Sequence, residues 1–387
     1  MTDVTTAHVE GKPLVVGVPR ETKPGEHRVA VAPEGVGELT RRGVPVLVEV
    51  GAGMDSGIGD GEYRAAGAEV VDRAAEVWER ADLVCKVKEP QVDELDWLRP
   101  GLVLFAYLHL AAYPALAAAL LHGGVAAVAF ETVQSHTGGL PLLTPMSEVA
   151  GRMAPQVGAR FLEREAGGRG MLLGGVPGVA PARVVILGAG TVGCAAAVIA
   201  QGMGAEVQLL NRGIERLQRV DQLHRGRIIT IASMAATIER SVVDADLVVG
   251  AVLRPGGRAP VLVGKDLVAA MRPGSVIVDV AVDQGGCVES TRETTHADPV
   301  YEDHGVLHYA VGNMPAAVPR TSTYALANAN LPYVVRLATA GVRRAARQDD
   351  TLARGINTLD GAIVHPAVAD ALDRPLADLD AALRSGK

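Results

Sequence analysis

The chain has 387 residues, a formal net charge of -7 and 48 % hydrophobic residues, with 45 Gly, 22 Pro and only three Phe, two Trp and seven Tyr. So much apolar mass excludes a disordered chain or a polar repeat, the negative charge argues against a nucleic-acid surface, and the length points to two domains, because single cores stop growing at roughly 250–300 residues. Glycine above the ~7 % average, without a three-residue period, implies tight turns and close backbone approaches rather than collagen.

In chain order, LVVGVPR reads as a strand, Pro33 to Arg42 as a helix ended by Gly43, and PVLVEVGAG as the next strand. A helix from about Asp60, the strand AEVVD, the helix DRAAEVWERA and the strand LVCKVK follow. From Gly101 to Phe130 there is no Asp, Glu, Lys or Arg, a stretch longer than the ~20 residues of a membrane-spanning helix. Pro114, His109, His122 and the Gly123-Gly124 pair divide it instead into strand, helix and strand. Alternation at this spacing predicts βαβ units and a mostly parallel sheet.

Residues 135–182 change character: a turn-rich SHTGGLPLL, then a long amphipathic helix, TPMSEVAGRMAPQVGARFLERE, with Ser147 as an early cap and Pro155 as a bend. A Gly/Pro-rich loop runs into the strand RVVILGAG, the helix TVGCAAAVIAQGMGA, the strand EVQLLNR and the helix IERLQRVDQLH. Strands near 228–232, 246–252 and 275–280, helices near 235–243 and 264–271, and a short α/β element over 301–311 complete this second series. A helical region from about Ser322 to Arg347 precedes a Gly/Pro-punctuated tail that reads as peripheral.

Gly188-Ala-Gly190-Thr-Val-Gly193 follows the aliphatic strand VVIL and opens an Ala-rich helix. The first glycine permits the tight turn, the second lets backbone approach a pyrophosphate and the third permits close helix–strand packing, so a dinucleotide site is predicted. An NAD-specific site offers Asp or Glu at the tip of the second strand. Here the tip is Asn211-Arg212-Gly213. Asn211 can meet a ribose hydroxyl, Arg212 or Arg216 a 2′-phosphate, and a merely solvated turn is the alternative; NAD and NADP both stay open.

Ligands of open parallel sheets bind beyond the carboxyl ends of strands. Three segments place polar groups there: His27-Arg28, Lys86-Val-Lys88 and Tyr107-Leu-His109. Lys86 and Lys88 share one side of an extended strand, and Lys88, nearer its end, is the substrate candidate; the alternative for either is a strand-end charge on a buried stem. His109 offers the one side chain that ordinarily exchanges protons near neutrality, with a satisfied core histidine as the alternative. In VIVDVAVDQGG, Asp283 is expected in the cleft and Asp279 in a structural role. Glu131 reads equally as an orienting group or as an exposed edge. His296, His304 and His308 lack metal-site spacing. Cys85, Cys194 and Cys287 form no CxxC pair and read as reduced thiols in a cytoplasmic protein; MTDVTTAHVEGKP has no apolar core, so no signal peptide is expected.

The blocks VGVPRETKPGEHRVA, KVKEP, YLHLAAYP, AFETVQ, LPLLTPMSEVAGRMAPQVGA, AVDQGG and HYAVGNMPAAVPRTSTYALANANLPYV resemble the alanine dehydrogenase family, which includes the nucleotide-binding α-subunit region of proton-translocating transhydrogenases. The resemblance spans nearly the whole chain. It implies an α/β fold of two Rossmann-like domains with parallel sheets: a discontinuous substrate domain (1–145 plus 312–387) and an inserted NAD(P)-binding domain (146–311) that includes the first crossover helix. It also implies reversible oxidative deamination of L-alanine to pyruvate and ammonium with NAD or NADP.

By the same resemblance, Arg28 and Lys88 hold the substrate carboxylate, His109 is the acid/base and Asp283 its polar partner. Met146, Ser147, Asn313 and Met314 line the cleft, Val252 and Leu253 pack along the cofactor, and Ser233 and Arg216 lie at its adenosine half. The resemblance also implies a homohexamer, while the charge, the cysteines and the broken apolar stretch lead to the expectation of a cytoplasmic protein with no nucleic-acid or membrane partner. Departures from the family pattern are Asn211 for the usual acid, Gly312 where Ala is more usual, and His27 beside Arg28. They keep open an NADP-linked relative acting on another small amino acid or 2-oxo acid. A transhydrogenase component and a non-catalytic nucleotide-binding subunit are the remaining readings of such a chain.

Overall fold

A computed structural model describes residues 12–252 and 259–385. Its strands are β1 (Val16–Val18), β2 (Val46–Glu49), β3 (Glu69–Val71), β4 (Leu83–Cys85), β5 (Val103–Ala106), β6 (Ala126–Ala129), β7 (Arg183–Leu187) and β8 (Glu206–Asn211). They continue with β9 (Ile229–Ala232), β10 (Leu247–Gly250), β11 (Val276–Asp279), β12 (Val300–Asp303), β13 (Val306–Tyr309), β14 (Ile356–Leu359) and β15 (Ala362–Ile363). The chain divides into two compact units, Met1–Met146 with Val318–Lys387, and Ser147–Ala317.

The first unit holds an eight-stranded sheet in the order β15-β14-β6-β5-β4-β1-β2-β3. Strands β1 to β6 are all parallel, so the order over them is the 3-2-1-4-5-6 of a doubly wound sheet. Because helices cover both faces of such a sheet, its strands are apolar throughout rather than alternating; β1, β4, β5 and β6 are buried at every position. Gly17 in β1 is required by a close approach: a Cβ there would stand 2.6 Å from Ala81 Cβ and 2.7 Å from Val77 Cγ1. One core cluster joins Trp78, Leu102, Leu104, Leu116 and Leu120 to Ile363 and Val368.

The tail is not peripheral, contrary to the expectation. Residues 356–363 form a hairpin whose β14 pairs antiparallel with β6, and Ile356, Leu359 and Ile363 are buried. Its turn is Asp360-Gly361, with φ of 50° and 77°, the two positive values that a two-residue type I′ hairpin needs.

The second unit holds a seven-stranded sheet, β12-β13-β11-β10-β7-β8-β9, parallel except for the β12–β13 pair. Here too the first strand is central and the order reverses beside it, between β7 and β10. Residues 312–317, expected with the outer domain, belong to this unit. They are tied to its loops: Gly312 N donates to Thr294 O at 3.4 Å and Asn313 O accepts from His296 Nε2 at 3.3 Å. Ser147 is not a cap, because the helix already starts at Thr144 and runs through Pro155 to Leu162. The helical stretch Pro319–Gln348, broken at Gly341 (φ 71°, ψ 159°), begins three residues before the expected Ser322, as a first-turn proline permits. Among the described residues no helix is long and apolar enough to cross a membrane.

Leu104 is fully buried at the centre of the first unit's core, so Leu104→Ala is expected to cost about 2–5 kcal/mol. Val92, 81 % exposed, should tolerate alanine within about 0.5 kcal/mol. Denaturant midpoints of the two variants check the contrast.

Candidate active site

In the first unit the strand order reverses between β1 and β4, and the loops leaving those two strands carry Arg28 and Lys88. Arg28 is buried and shares a two-point ion pair with Glu26: Nε donates to Oε1 at 2.6 Å and Nη2 to Oε2 at 2.5 Å. The Arg28 backbone N–H donates to the same carboxylate at 3.1 Å, and Nη1 lies 3.0 Å from Met146 Sδ. Burial works against the charge on Glu26, but the hydrogen bonds and charge of Arg28 outweigh it and hold the carboxyl down at about 2. The Nε–Nη2 edge of Arg28 is thus committed to Glu26, which fixes the guanidinium plane.

The two lysines of β4's end separate cleanly. Lys86 is fully buried between Glu94 Oε1 at 2.9 Å and Glu21 Oε2 at 3.5 Å. Burial opposes its charge, yet the two carboxylates hold its ammonium above the ordinary lysine range. Glu21 also accepts the Val87 N–H at 2.5 Å and the Lys88 N–H at 3.3 Å, anchoring the backbone of the next lysine. Lys88 is half-buried, and no hydrogen bond or ion pair of its ammonium occurs among the described residues. Burial, then the like charge of Arg28, pulls its pKa down. A desolvated cation beside a second cation is an attractive seat for a carboxylate.

His109 leaves β5 with φ of 47°, a left-handed conformation that costs a non-glycine residue of order 1–3 kcal/mol. Glu131 offsets it: its Oε1 accepts the His109 N–H at 2.6 Å, and both carboxylate oxygens lie 3.2 Å from the Leu108 N–H. The imidazole is exposed and stacks on Tyr107, with centroids 6.1 Å apart and planes 8° from parallel. Tyr107 is buried, donates to Leu142 O at 2.5 Å and feels the charge of Arg28. Arg28, Lys88, Tyr107 and His109 therefore gather at one end of one sheet. Glu21 and Glu26 were missed as supporting groups, Glu21 because only the folded loops bring it to Val87 and Lys88.

In the second unit the glycine turn sits where the order reverses. A Cβ on Gly188 (φ 110°) would fall 2.6 Å from Ala251 O, and one on Gly193 only 1.7 Å from Gly188 O. Gly190 N-caps the helix Thr191–Gly202 without a side-chain cap, and a Cβ on it would meet only Arg216 Nη1 at 3.8 Å. The turn is therefore a cradle of bare backbone at a helix start, the form that a dinucleotide pyrophosphate requires. Asn211, the last residue of β8, accepts the Ala189 N–H on Oδ1 at 3.1 Å and donates from Nδ2 to Gly213 O at 3.0 Å. The Ser233 N–H donates to Asn211 O at 3.0 Å. Arg212 and Arg216 are exposed. Val252 follows β10, with Cγ2 3.3 Å from where a Gly188 Cβ would be; Leu253 lies outside the described residues.

Asp283 stands exposed in the one-turn helix Val282–Gln284. Asp279 is buried beneath it and accepts the N–H groups of Ala281 at 3.1 Å, Cys287 at 2.9 Å and Val288 at 3.2 Å. Burial raises its pKa against those hydrogen bonds. A Cβ on Gly312 would lie 2.1 Å from Glu293 Oε1 and 3.1 Å from Asp283 Oδ1, so glycine lets two carboxylates converge there. Asn313 has φ of 58° and Met314 is buried; Ser147 is half-buried in the long helix. His308 is a buried structural histidine between Ser290 Oγ at 2.8 Å and Val306 O at 2.9 Å. No group of three His, Cys, Asp or Glu among the described residues could hold a metal.

A glycine-turn dinucleotide cradle on one doubly wound sheet, joined in one chain to a second such sheet bearing cations and an exposed histidine, defines an oxidoreductase of the nicotinamide-dinucleotide class. Residues 17–150 match the family profile of the alanine dehydrogenase/PNT N-terminal domain, and residues 154–366 that of its C-terminal domain. The chain belongs to the alanine dehydrogenase/PNT family. An alanine dehydrogenase of Mycolicibacterium smegmatis is 53 % identical over 365 residues, 94 % of this chain and 98 % of that one. One of Bacillus subtilis is 51 % identical over 357 residues, 92 % of this chain and 94 % of that one. A solved L-alanine dehydrogenase superposes with a TM-score of 0.91 at 51 % identity, covering 92 % of this chain and 99 % of that one. A transhydrogenase from Sinorhizobium meliloti gives 0.78 at 28 % identity, covering 91 % and 99 %.

The Glu26–Arg28 pair carries a pH signature. A carboxyl held at about 2, against 4.5 ordinarily, stabilises the fold fully above pH 4.5 and loses that contribution as pH falls toward 2. The stability difference between the native chain and Glu26→Gln should therefore be full near neutrality and shrink below pH 4.5. Denaturant midpoints across that range check it; a difference that stays constant would contradict the pairing.

Proposed function

We propose that this chain catalyses the reversible conversion of L-alanine, water and an oxidised nicotinamide cofactor into pyruvate, ammonium, a proton and the reduced cofactor. The observation that carries the reading is the half-buried Lys88 ammonium, which has no hydrogen bond or ion pair among the described residues and feels the like charge of Arg28, at the strand ends that also present His109. The names of the relatives, alanine dehydrogenases over nearly the whole chain, support alanine as the substrate.

In this reading Lys88 and Arg28 take the substrate carboxylate, Lys88 through its ammonium and Arg28 as a guanidinium already oriented by Glu26. Two fixed cations orient the Cα–H bond, which is catalysis by positioning. The nicotinamide ring, when bound, supplies the acceptor for the hydride leaving Cα. Gly188, Gly190 and Gly193 would hold its pyrophosphate, with Asn211, Arg212, Arg216 and Ser233 at the adenosine half. Val252, Leu253, Ser147, Asn313 and Met314 would flank the remainder.

His109 takes a proton from the water that adds to the imine carbon and returns it to the departing amine; in reverse it serves ammonia adding to pyruvate. Asp283 accepts a hydrogen bond from the attacking water or ammonia. Glu131 is a positioning residue, holding the strained backbone at His109. The cofactor is NAD or NADP. A homohexameric assembly rests on the family resemblance, and a cytoplasmic location is supported by three free thiols, Cys85, Cys194 and Cys287.

His109→Ala should lower alanine-dependent cofactor reduction by about 10²–10⁴-fold while cofactor binding, read by fluorescence titration, persists. Full activity in that variant would remove His109 from the chemistry. Lys88→Met should raise KM for pyruvate roughly 10–100-fold, the loss of a charge-assisted hydrogen bond. Steady-state kinetics with NAD and NADP against several amino acids and 2-oxo acids tests the reaction itself.

A further inference from the structure

The tip of β8 has a chemistry that the reaction alone does not require. In a doubly wound dinucleotide site the second strand's tip meets the adenosine ribose: a carboxylate there accepts the 2′-hydroxyl, whereas an arginine nearby accommodates a 2′-phosphate. We propose that Asn211, Arg212 and Arg216 form a receptor for the ribose 2′-phosphate, so that the dinucleotide preferred by this chain is NADP. The proposal rests on the dinucleotide reading of the glycine turn.

Three observations carry it. First, the contacts of Asn211 select an amide over an acid. Its Oδ1 accepts the Ala189 N–H from within the glycine turn, while its Nδ2 donates to Gly213 O. A carboxylate could make the first bond but would set an oxygen against the Gly213 carbonyl in the second. The amide's orientation follows from the same pair of contacts, because a flipped group would oppose donor to donor. The residue that usually repels a phosphate is thus replaced by a neutral one, built into the turn.

Second, the Asn211–Gly213 bond folds residues 211–213 into a tight turn with Arg212 at its apex, and Arg212 is exposed. No hydrogen bond or ion pair of its guanidinium, or of Arg216's, occurs among the described residues. Some surface arginines, by contrast, are held by carboxylates: Arg41 and Arg42 meet Glu38, Arg73 meets Glu76, Arg80 meets Glu69 and Arg160 meets Glu163.

Third, Arg216 lies over the cradle. Its Nη1 is 3.8 Å from the place of a Gly190 Cβ, and its charge bears on the Cys194 thiol in the first turn of the helix Thr191–Gly202. One arginine thus stands at the strand tip and one beside the pyrophosphate turn, the two places that flank the adenosine ribose in such a site. Two delocalised cations with planar donors suit a dianionic phosphate monoester.

Calorimetric titration of the full chain with adenosine 2′,5′-bisphosphate and with adenosine 5′-monophosphate tests this apart from turnover. The bisphosphate should bind at least about tenfold more tightly. Arg212→Ala should remove most of that advantage, with the loss confined to the bisphosphate, and Asn211→Asp should reverse it by restoring the carboxylate. Equal affinities, or an advantage unchanged in Arg212→Ala, would overturn the proposal. If the monophosphate and NAD bind well without any 2′-phosphate advantage, only this proposal fails. If neither nucleotide nor either dinucleotide binds, the dinucleotide reading fails with it.

Discussion

A parallel strand that ends inside a protein leaves backbone amides beyond the ladder with no partner, and such groups are costly to bury unpaired. Five loops that carry candidate site residues start at such an end, and in each a side-chain acceptor takes at least one of these amides. Glu49 takes the Arg20 amide after β1, Glu21 those of Val87 and Lys88 after β4, and Glu131 those of Leu108 and His109 after β5. In the second unit Asn211 takes the Ala189 amide after β7, and Asp279 those of Ala281, Cys287 and Val288 after β11. Capping these amides fixes the backbone at the residues whose side chains are needed for chemistry, so the loops are held by hydrogen bonds as well as by apolar packing of residues such as Leu108 and Val288.

The same carboxylates do electrostatic service. Arg28 stays charged in a buried place because Glu26 accompanies it, and Lys86 because Glu21 and Glu94 do. Lys88, two residues further on, feels the carboxylates of Glu26 and Glu89 but has no direct ion pair with either among the described residues. An anionic substrate would provide the missing counter-charge, so affinity for a small carboxylate follows from an imbalance that the rest of the cluster leaves standing. Neighbouring positions just beyond one strand thereby take opposite tasks, one closed within the fold and one kept for a ligand.

Much of this was legible in the sequence because it is local. Apolar runs broken by Gly and Pro marked the strands, the spacing of Gly188, Gly190 and Gly193 marked the cradle, and Lys88's place at a strand end separated it from Lys86. What escaped reading is non-local. Glu21 meets Val87 and Lys88 across more than sixty residues, and no periodicity records that. His109 follows a run of apolar residues that suggests burial; its exposure comes from a left-handed backbone that Glu131 stabilises. The hairpin at 356–363 is a different omission: Asp360-Gly361 between apolar segments is a local signal, overlooked because the tail around it is rich in turn formers.

That hairpin bears on how the molecule is made. β6 pairs on one side with β5 and on the other with β14, so during synthesis it remains an open apolar edge until residues more than two hundred positions later leave the ribosome. The intervening unit is contiguous, and its strands can complete their sheet first. The strand β6, at the end of the uncharged stretch from Gly101 to Phe130, thus waits as an unprotected edge, the kind of surface on which nascent chains associate wrongly. The last strands of the chain act as a seal on β6, and the insertion of one unit within the other sets how late in synthesis that seal arrives.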